Sequence, residues 1–401
     1  MINPISNATL KNKRVLIRVD LNVPFERGKV SDASRIIATI PTIKFVLKNG
    51  GRPILISHFG RPENQSNEDF SLKKIIPELT KLIGVGVEFI ESLDYNFIQK
   101  SINSIPKNKI VLLENSRLFD GEESNSIALS SIFAKFGDLY CNDAFSVSHR
   151  THASIVGITR LLPSYAGLHL KKEITALNQA LLDPQKPLVA IVGGSKVSTK
   201  LSLLNNLLPK VDHIIVGGGM ANTFLFAQNK EIGSSICEKH LIELAQKIQS
   251  NAKKFNCKIH LPVDAICAYS FDNKRDITIH KINSCPREKM ILDCGPQTVS
   301  NIGKILQTAK TLIWNGPLGA FENPPFNKAT EEVARIAATL TKGNKLLSVA
   351  GGGDTVAALK NAKVLSEFTY VSNAGGAFLE WIEGKELPGL KALETWANSS
   401  Q

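Results

Sequence analysis

The chain lacks any apolar run near the roughly 18 to 20 residues that cross a membrane as a helix, and this argues against a membrane-spanning protein. Residues 1 to 13 contain no apolar core of the secretory type. They also lack acidic residues, as transit peptides do, but a strand expected from Arg14 leaves little room for one. A cytoplasmic location is therefore expected. The six cysteines (141, 237, 257, 267, 285, 294) form no C-x-x-C pair and no zinc spacing, so they read as small packing residues of a reducing compartment. Aromatic residues are only 6% of the chain and are not interleaved with basic clusters, which counts against a base-stacking nucleic-acid surface. Familiar signatures are missing too. There is no G-x-x-x-x-G-K-[ST], the run Gly217-Gly-Gly-Met-Ala-Asn222 lacks the last glycine of G-x-G-x-x-G, and neither H-E-x-x-H nor G-x-S-x-G occurs. P-loop ATPase, ordinary dinucleotide dehydrogenase and hydrolase chemistry have no visible equipment.

What is present is basic: 48 Lys+Arg against 36 Asp+Glu gives a formal charge of +12, which favours anionic partners such as phosphorylated metabolites or, as a second role, nucleic acid. At 401 residues the chain is too long for one core and suggests about two domains. Short β-type runs alternate with helical stretches throughout, the pattern of parallel sheets with crossover helices. In the first half the runs are 14–19, 53–57, 87–90, 110–113 and 139–141. In the second they are 188–192, 213–216, 258–261, 311–314, 346–349 and 369–372. The fold class is α/β, two doubly wound domains. Residues 162–167 read as a break, and 171–182 as an amphipathic helix with Ile174, Leu177 and Leu181 on one face, which serves as interdomain connector. The domains are placed at 1–170 and 171–384, with a tail at 385–401 expected to pack back on the first.

In open α/β sheets ligands sit outside the carboxyl ends of the strands, and there the two halves differ. The first-half tips are charged: Arg18-Val-Asp20-Leu-Asn22-Val-Pro24, His58-Phe-Gly-Arg61-Pro62, Glu114-Asn-Ser-Arg117 and Asn142-Asp143 through His149-Arg150, with Arg35 following the first tip. Taken singly, each arginine reads as well as a surface ion-pair partner. Gathered at one sheet edge, their guanidinium forks suit a multiply charged small anion. The second-half tips are rich in glycine: Gly193-Gly-Ser-Lys196, Gly217-Gly-Gly219, Asn315-Gly-Pro317, Gly351-Gly352-Gly353-Asp354-Thr355 and Ala374-Gly375-Gly376. Exposed backbone donors there suit a nucleotide polyphosphate. Asp354 opens a helix either as a cap or as a ligand for a divalent cation. Lys196 and Lys200, four apart, are expected on one face of a helix beginning near Lys196, as phosphate ligands or as a solvated pair.

Taken in order, these motifs resemble the phosphoglycerate kinase family over essentially the whole chain. The resemblance implies two Rossmann-like domains joined by a hinge helix, a monomer, and hinge-bending closure, with 3-phosphoglycerate on the first domain and MgADP or MgATP on the second. It implies that Asp20, Asn22, Arg35, His58, Arg61, Arg117 and Arg150 hold the phosphoglycerate, with Arg35 nearest the acyl phosphate. It further implies Lys200 at the transferred phosphoryl group, Glu322 at the ribose, Gly352, Gly353, Asp354 and Thr355 at the nucleotide phosphates, and Asp354 on Mg2+. Lys196 and Asn315 would assist, with the N–H groups of Gly375 and Gly376 beside them. The reaction would pass a phosphoryl group reversibly between 1,3-bisphosphoglycerate and ADP, and its carboxylate nucleophile would need no general base. Three departures from the family pattern stand out: Ala374 for a third glycine, Ser146-Val-Ser148 for a Gly-Thr-Ala type segment, and Phe119-Asp-Gly121 for His-Pro-Gly.

Overall fold

The computed structural model describes residues 2–62, 67–92, 106, 109–272 and 276–399. The chain forms two compact units. One runs from the N-terminus to Ile174 and resumes at Glu386, and the other spans Thr175–Lys385, so the division falls inside helix Leu168–Leu181.

The first unit holds strands β1 (Arg14–Arg18), the two-residue pair β2 (Phe25–Glu26) and β3 (Lys29–Val30), β4 (Arg52–Ile56), β5 (Val87–Ile90), β6 (Ile110–Leu113), β7 (Leu139–Asn142) and β8 (Ser164–Ala166). Six of them form a parallel sheet in the order β5-β6-β4-β1-β7-β8. Val15, Leu16 and Ile17 of β1 and all of β6 are buried, as an interior strand covered on both faces requires. β8 lies where the sequence suggested only a break. It is three residues long, bounded by Pro163 and Gly167, too short to carry a legible period, and it pairs with β7 on one side while Ala166 bridges Pro4 on the other. Helix Pro388–Ser399 packs on β8, with Leu393 fully buried and the Gly389 N–H donating to Ser148 O at 2.8 Å.

The second unit holds β9 (Leu188–Val192), β10 (His213–Val216), β11 (Lys258–His260), β12 (Asp264–Ala268), β13 (Thr278–Lys281), β14 (Met290–Cys294), β15 (Thr311–Asn315), β16 (Leu347–Gly351) and β17 (Tyr370–Ser372). Its parallel sheet has the order β11-β10-β9-β15-β16-β17, so both units are α/β with six parallel strands each. Trp314 of β15 is fully buried against Phe368, ring centroids 6.3 Å apart. Helix Lys328–Lys342 adds Val333, Ala334, Ala337 and Ala338 to the same core. The antiparallel sheet β13-β12-β14 was not foreseen from the sequence; its edge strand β13 is half exposed and reads Thr-Ile-His-Lys. No described helix is long and apolar enough to cross a membrane. All six cysteines are free thiols, five of them buried.

Candidate active site

In the first unit the expected basic residues converge at the carboxyl ends of β1, β4, β6 and β7. Arg35, at the start of helix Ser34–Lys48, donates from Nη1 to Asn22 O at 2.9 Å and pairs with Asp20 Oδ2 at 3.1 Å. Asp20 Oδ1 accepts the Asn22 N–H at 3.0 Å, and Asn22 Oδ1 accepts the Gly60 N–H at 2.9 Å, so the β1 tip is tied to the β4 tip. Arg117 donates from Nη1 to Gly60 O at 2.6 Å and meets Glu123 at 2.9 Å. Arg61 stands exposed on the same loop. The Nε of Arg150 is buried without a hydrogen-bond partner among the described residues, a donor that an anion would satisfy. His58, only 5% exposed, is held well below its ordinary imidazole range by burial and then by the surrounding charges of Arg18, Arg117, Arg150 and Arg35. So dense a positive field is the signature of a site for a polyanion.

Ser146 was not singled out as a ligand from the sequence, yet it donates to Asp20 Oδ2 at 2.5 Å. One departure from the family pattern therefore adds a contact to this cluster. A serine in a strand-tip segment that already carries Asn142 and Arg150 was the available signal.

In the second unit the glycine tips interlock. A Cβ on Gly193 would lie 1.9 Å from Pro317 O, and one on Gly218 2.6 Å from Gly194 O, so backbone rests directly on backbone. Gly352 joins β16 to helix Gly353–Asn361 at φ 98°, a conformation that favours glycine. The first helical hydrogen bond there is Val356 N–H to Gly352 O, so the N–H groups of Gly353, Asp354 and Thr355 precede it. Likewise Phe378 N–H bonds to Ala374 O, leaving Gly375, Gly376 and Ala377 ahead of the first bond of helix Gly375–Ile382. Ala374 itself has φ −94°, so its methyl group costs no backbone strain where a glycine was expected.

Asn315 ties these tips together. Its Nδ2 donates to Gly351 O at 2.9 Å, and its Oδ1 accepts from Lys200 Nζ. Burial lowers the Lys200 ammonium from its usual range, while Asp354 and Glu383 raise it. Thr355 Oγ1 accepts the Gly316 N–H at 2.7 Å, so this buried hydroxyl braces the cradle. Lys196 departs from expectation. It lies exposed in the irregular segment between β9 and the 3-10 helix Ser198–Lys200, and the α-helix begins only at Leu201, so Lys196 and Lys200 share no helical face. A cavity of about 340 Å³, within the size range of small-molecule sites, is lined by Gly194, Gly218, Leu318, Phe321, Glu322 and Asp354. Among the described residues no cluster of three or more His, Cys, Asp or Glu could cage a metal. Exposed Asp354 on the cavity wall is the hard oxygen donor that suits a magnesium ion arriving with a polyphosphate.

Arginines gathered at the strand tips of one α/β unit and a glycine-lined cavity at the strand tips of another are the equipment expected of a phosphotransferase. A model of the family described as phosphoglycerate kinase matches residues 5–385. The chain is 50% identical over 392 residues to the phosphoglycerate kinase of Jannaschia sp. (strain CCS1), covering 98% of each chain. It is 49% identical over 385 residues to that of Zymomonas mobilis subsp. mobilis (strain ATCC 31821 / ZM4 / CP4), covering 96% of this chain and 97% of the other. Among solved structures it is similar to phosphoglycerate kinase from Coxiella burnetii (TM-score 0.91, 40% identity, 98% and 99% coverage) and from Pyrococcus horikoshii OT3 (TM-score 0.83, 28% identity, 99% and 100% coverage). The chain belongs to the phosphoglycerate kinase family. Its reaction is the reversible phosphoryl transfer between 1,3-bisphosphoglycerate and ADP, a step of glycolysis.

Proposed function

We propose that the two clusters divide this reaction between them, 3-phosphoglycerate or 1,3-bisphosphoglycerate on the first unit and the magnesium nucleotide on the second. Asp20, Asn22, Arg35, His58, Arg61, Arg117 and Arg150 hold the phosphoglycerate. Lys196, Lys200, Asn315, Glu322 and the turn Gly352-Gly353-Asp354-Thr355 hold the nucleotide, with Asp354 as protein ligand to Mg2+. When bound, magnesium supplies neutralisation of the polyphosphate charge. The observation that carries the reading is the contrast between the two clusters: guanidinium groups packed around a neutral His58 on one unit, and free helix N–H groups beside a carboxylate and a half-buried lysine on the other.

The attacking carboxylate of 3-phosphoglycerate is already ionised at neutral pH, so positioning and charge neutralisation replace proton transfer. Arg35, Lys200 and the N–H groups of Gly375 and Gly376 carry that task as charge develops on the equatorial oxygens. Donor and acceptor half-sites built on separate units must be brought together with water excluded, through bending about the connector at 163–187. The protein acts as a cytoplasmic monomer, and nucleic acid is not its main partner.

Coupling 3-phosphoglycerate phosphorylation by MgATP to reduction of the product, followed as NADH loss, tests the assignment. Arg35→Ala and Lys200→Ala should each remove most of the rate from folded protein. Near-normal rates in either variant would overturn the role given to that residue. A DNA or RNA complex that weakens steeply with salt but ignores 3-phosphoglycerate would instead assign the +12 charge to a nucleic-acid surface.

A further inference from the structure

Beneath the basic cluster of the first unit lies a buried polar chain that runs from Glu122 through Ser154 and Arg18 to His58. Glu122, 1% exposed, accepts the Ser116 hydroxyl at 3.0 Å, the Ser154 hydroxyl at 2.5 Å and the Ser154 N–H at 3.0 Å, and its Oε1 lies 3.7 Å from His152 Nδ1. The same Ser154 Oγ accepts from Arg18 Nε at 3.1 Å. Arg18, fully buried, also donates to Val19 O and places Nη2 3.2 Å from His58 Nδ1.

The direction of each bond in this chain is fixed by chemistry. A guanidinium has only donors, so His58 Nδ1 must be the acceptor and the ring must carry its proton on Nε2. A carboxylate has only acceptors, so the Ser154 hydroxyl must point its proton at Glu122 and offer its lone pairs to Arg18. Arg18 donates whatever faces it, so what Glu122 and Ser154 set is the place of the guanidinium, and with it the ring nitrogen of His58 that it meets. A buried guanidinium without a facing anion would be poorly held, and Glu122 exerts the largest favourable charge influence on Arg18, against the cost of its burial.

We propose that Glu122 is a positioning residue which, through Ser154 and Arg18, keeps His58 in the neutral tautomer protonated at Nε2, so that the ring meets the phosphoglycerate as a donor. The inference rests on the reading that His58 holds that ligand. Nothing in it touches the nucleotide half-site.

The test uses the full-length chain with 15N-labelled histidine, the His58 signal being assigned by loss in His58→Asn. Long-range proton–nitrogen correlation should show wild-type His58 with an unprotonated Nδ1. Glu122→Gln removes the charge, and Ser154→Ala removes the relay while leaving Glu122 in place. Each should give a mixture of His58 tautomers and raise KM for 3-phosphoglycerate about tenfold, with KM for ATP unchanged within twofold. Ser154→Thr, which keeps the hydroxyl, should restore the single tautomer. Should Glu122→Gln fail to fold, Ser154→Ala decides alone. A folded Ser154→Ala protein that keeps both the wild-type tautomer and the wild-type KM overturns the proposal. If 3-phosphoglycerate leaves the wild-type His58 signals unmoved, the ligand reading fails instead, and the tautomer measurement still stands.

Discussion

Two adjacent glycines allow the phosphate cradle to be separated from the stability of its own backbone. Gly352 has φ 98°, and a Cβ there would lie 2.7 Å from Asn315 Nδ2, the donor to Gly351 O. Gly353 is exposed at the first turn of its helix, and a Cβ there meets no protein atom within 4 Å. Gly352→Ala therefore adds backbone strain of about 1–3 kcal/mol and disturbs a hydrogen bond worth about 1 kcal/mol. The combined loss, about 3 kcal/mol, lowers Tm by roughly 6–12 °C in a unit of this size. Gly353→Ala should do the reverse, gaining about 0.4–1 kcal/mol from the less flexible unfolded chain. Its methyl group, however, enters the open space where the reading puts a phosphate. Thermal unfolding without ligand, paired with calorimetric titration of MgADP, reads both effects. Gly353→Ala should be as stable as wild type or more so, and bind MgADP at least tenfold more weakly. Wild-type affinity in that variant would refute the N–H cradle, and wild-type Tm in Gly352→Ala would refute the strain argument.

Lys200→Met leaves Asn315 Oδ1 without its cation and should lower kcat about a hundredfold with a smaller change in nucleotide KM; steady-state kinetics in both directions measure the split. Chelating divalent cations should abolish turnover, and Asp354→Asn should raise the magnesium concentration for half-maximal rate about tenfold, whereas an unchanged requirement would remove Asp354 from the metal. Burial raises Asp293 from 3.8 to about 8, against the two backbone N–H donors of Ala329 and Cys294. The native state thus holds a proton that the unfolded chain releases near pH 4. This contribution to stability is whole below about pH 4, declines as pH rises, and is gone above about pH 8. Urea midpoints of the wild-type protein should fall across that window more steeply than those of Asp293→Asn, and parallel slopes would reject the assignment.

Most of the strands were legible because parallel interior strands are continuous apolar runs. Thr311–Asn315 and Leu188–Val192 stand out in the sequence as they do in the sheet. The two-residue pair β2–β3, the three-residue β8 and the antiparallel β12, β13 and β14 were not; β2, β3 and β8 are too short to carry a period, and β13 alternates with polar, exposed positions. The glycine turn at 351–355 was visible as a strand ending in small residues before a helix. Its companions Asn315 and Thr355 were named from sequence as nucleotide ligands, while the structure shows them also bracing Gly351 and Gly316. Lys196 was misplaced because a spacing of four implies a shared face only if the helix has already begun, and here it starts at Leu201.

The sequence by itself determined the α/β class, the division into an arginine-bearing half and a glycine-bearing half, and the family, because each rests on residue types and their order along the chain. Tertiary structure alone decided that Ser146 meets Asp20, that Lys200 leans on Asn315, and that Glu122 stands behind Arg18 and His58. These partners are separated by 126, 115 and, from Glu122 to Ser154, 32 residues. A hydrogen bond depends on angstroms of separation and on direction, and local spacing carries neither across such distances.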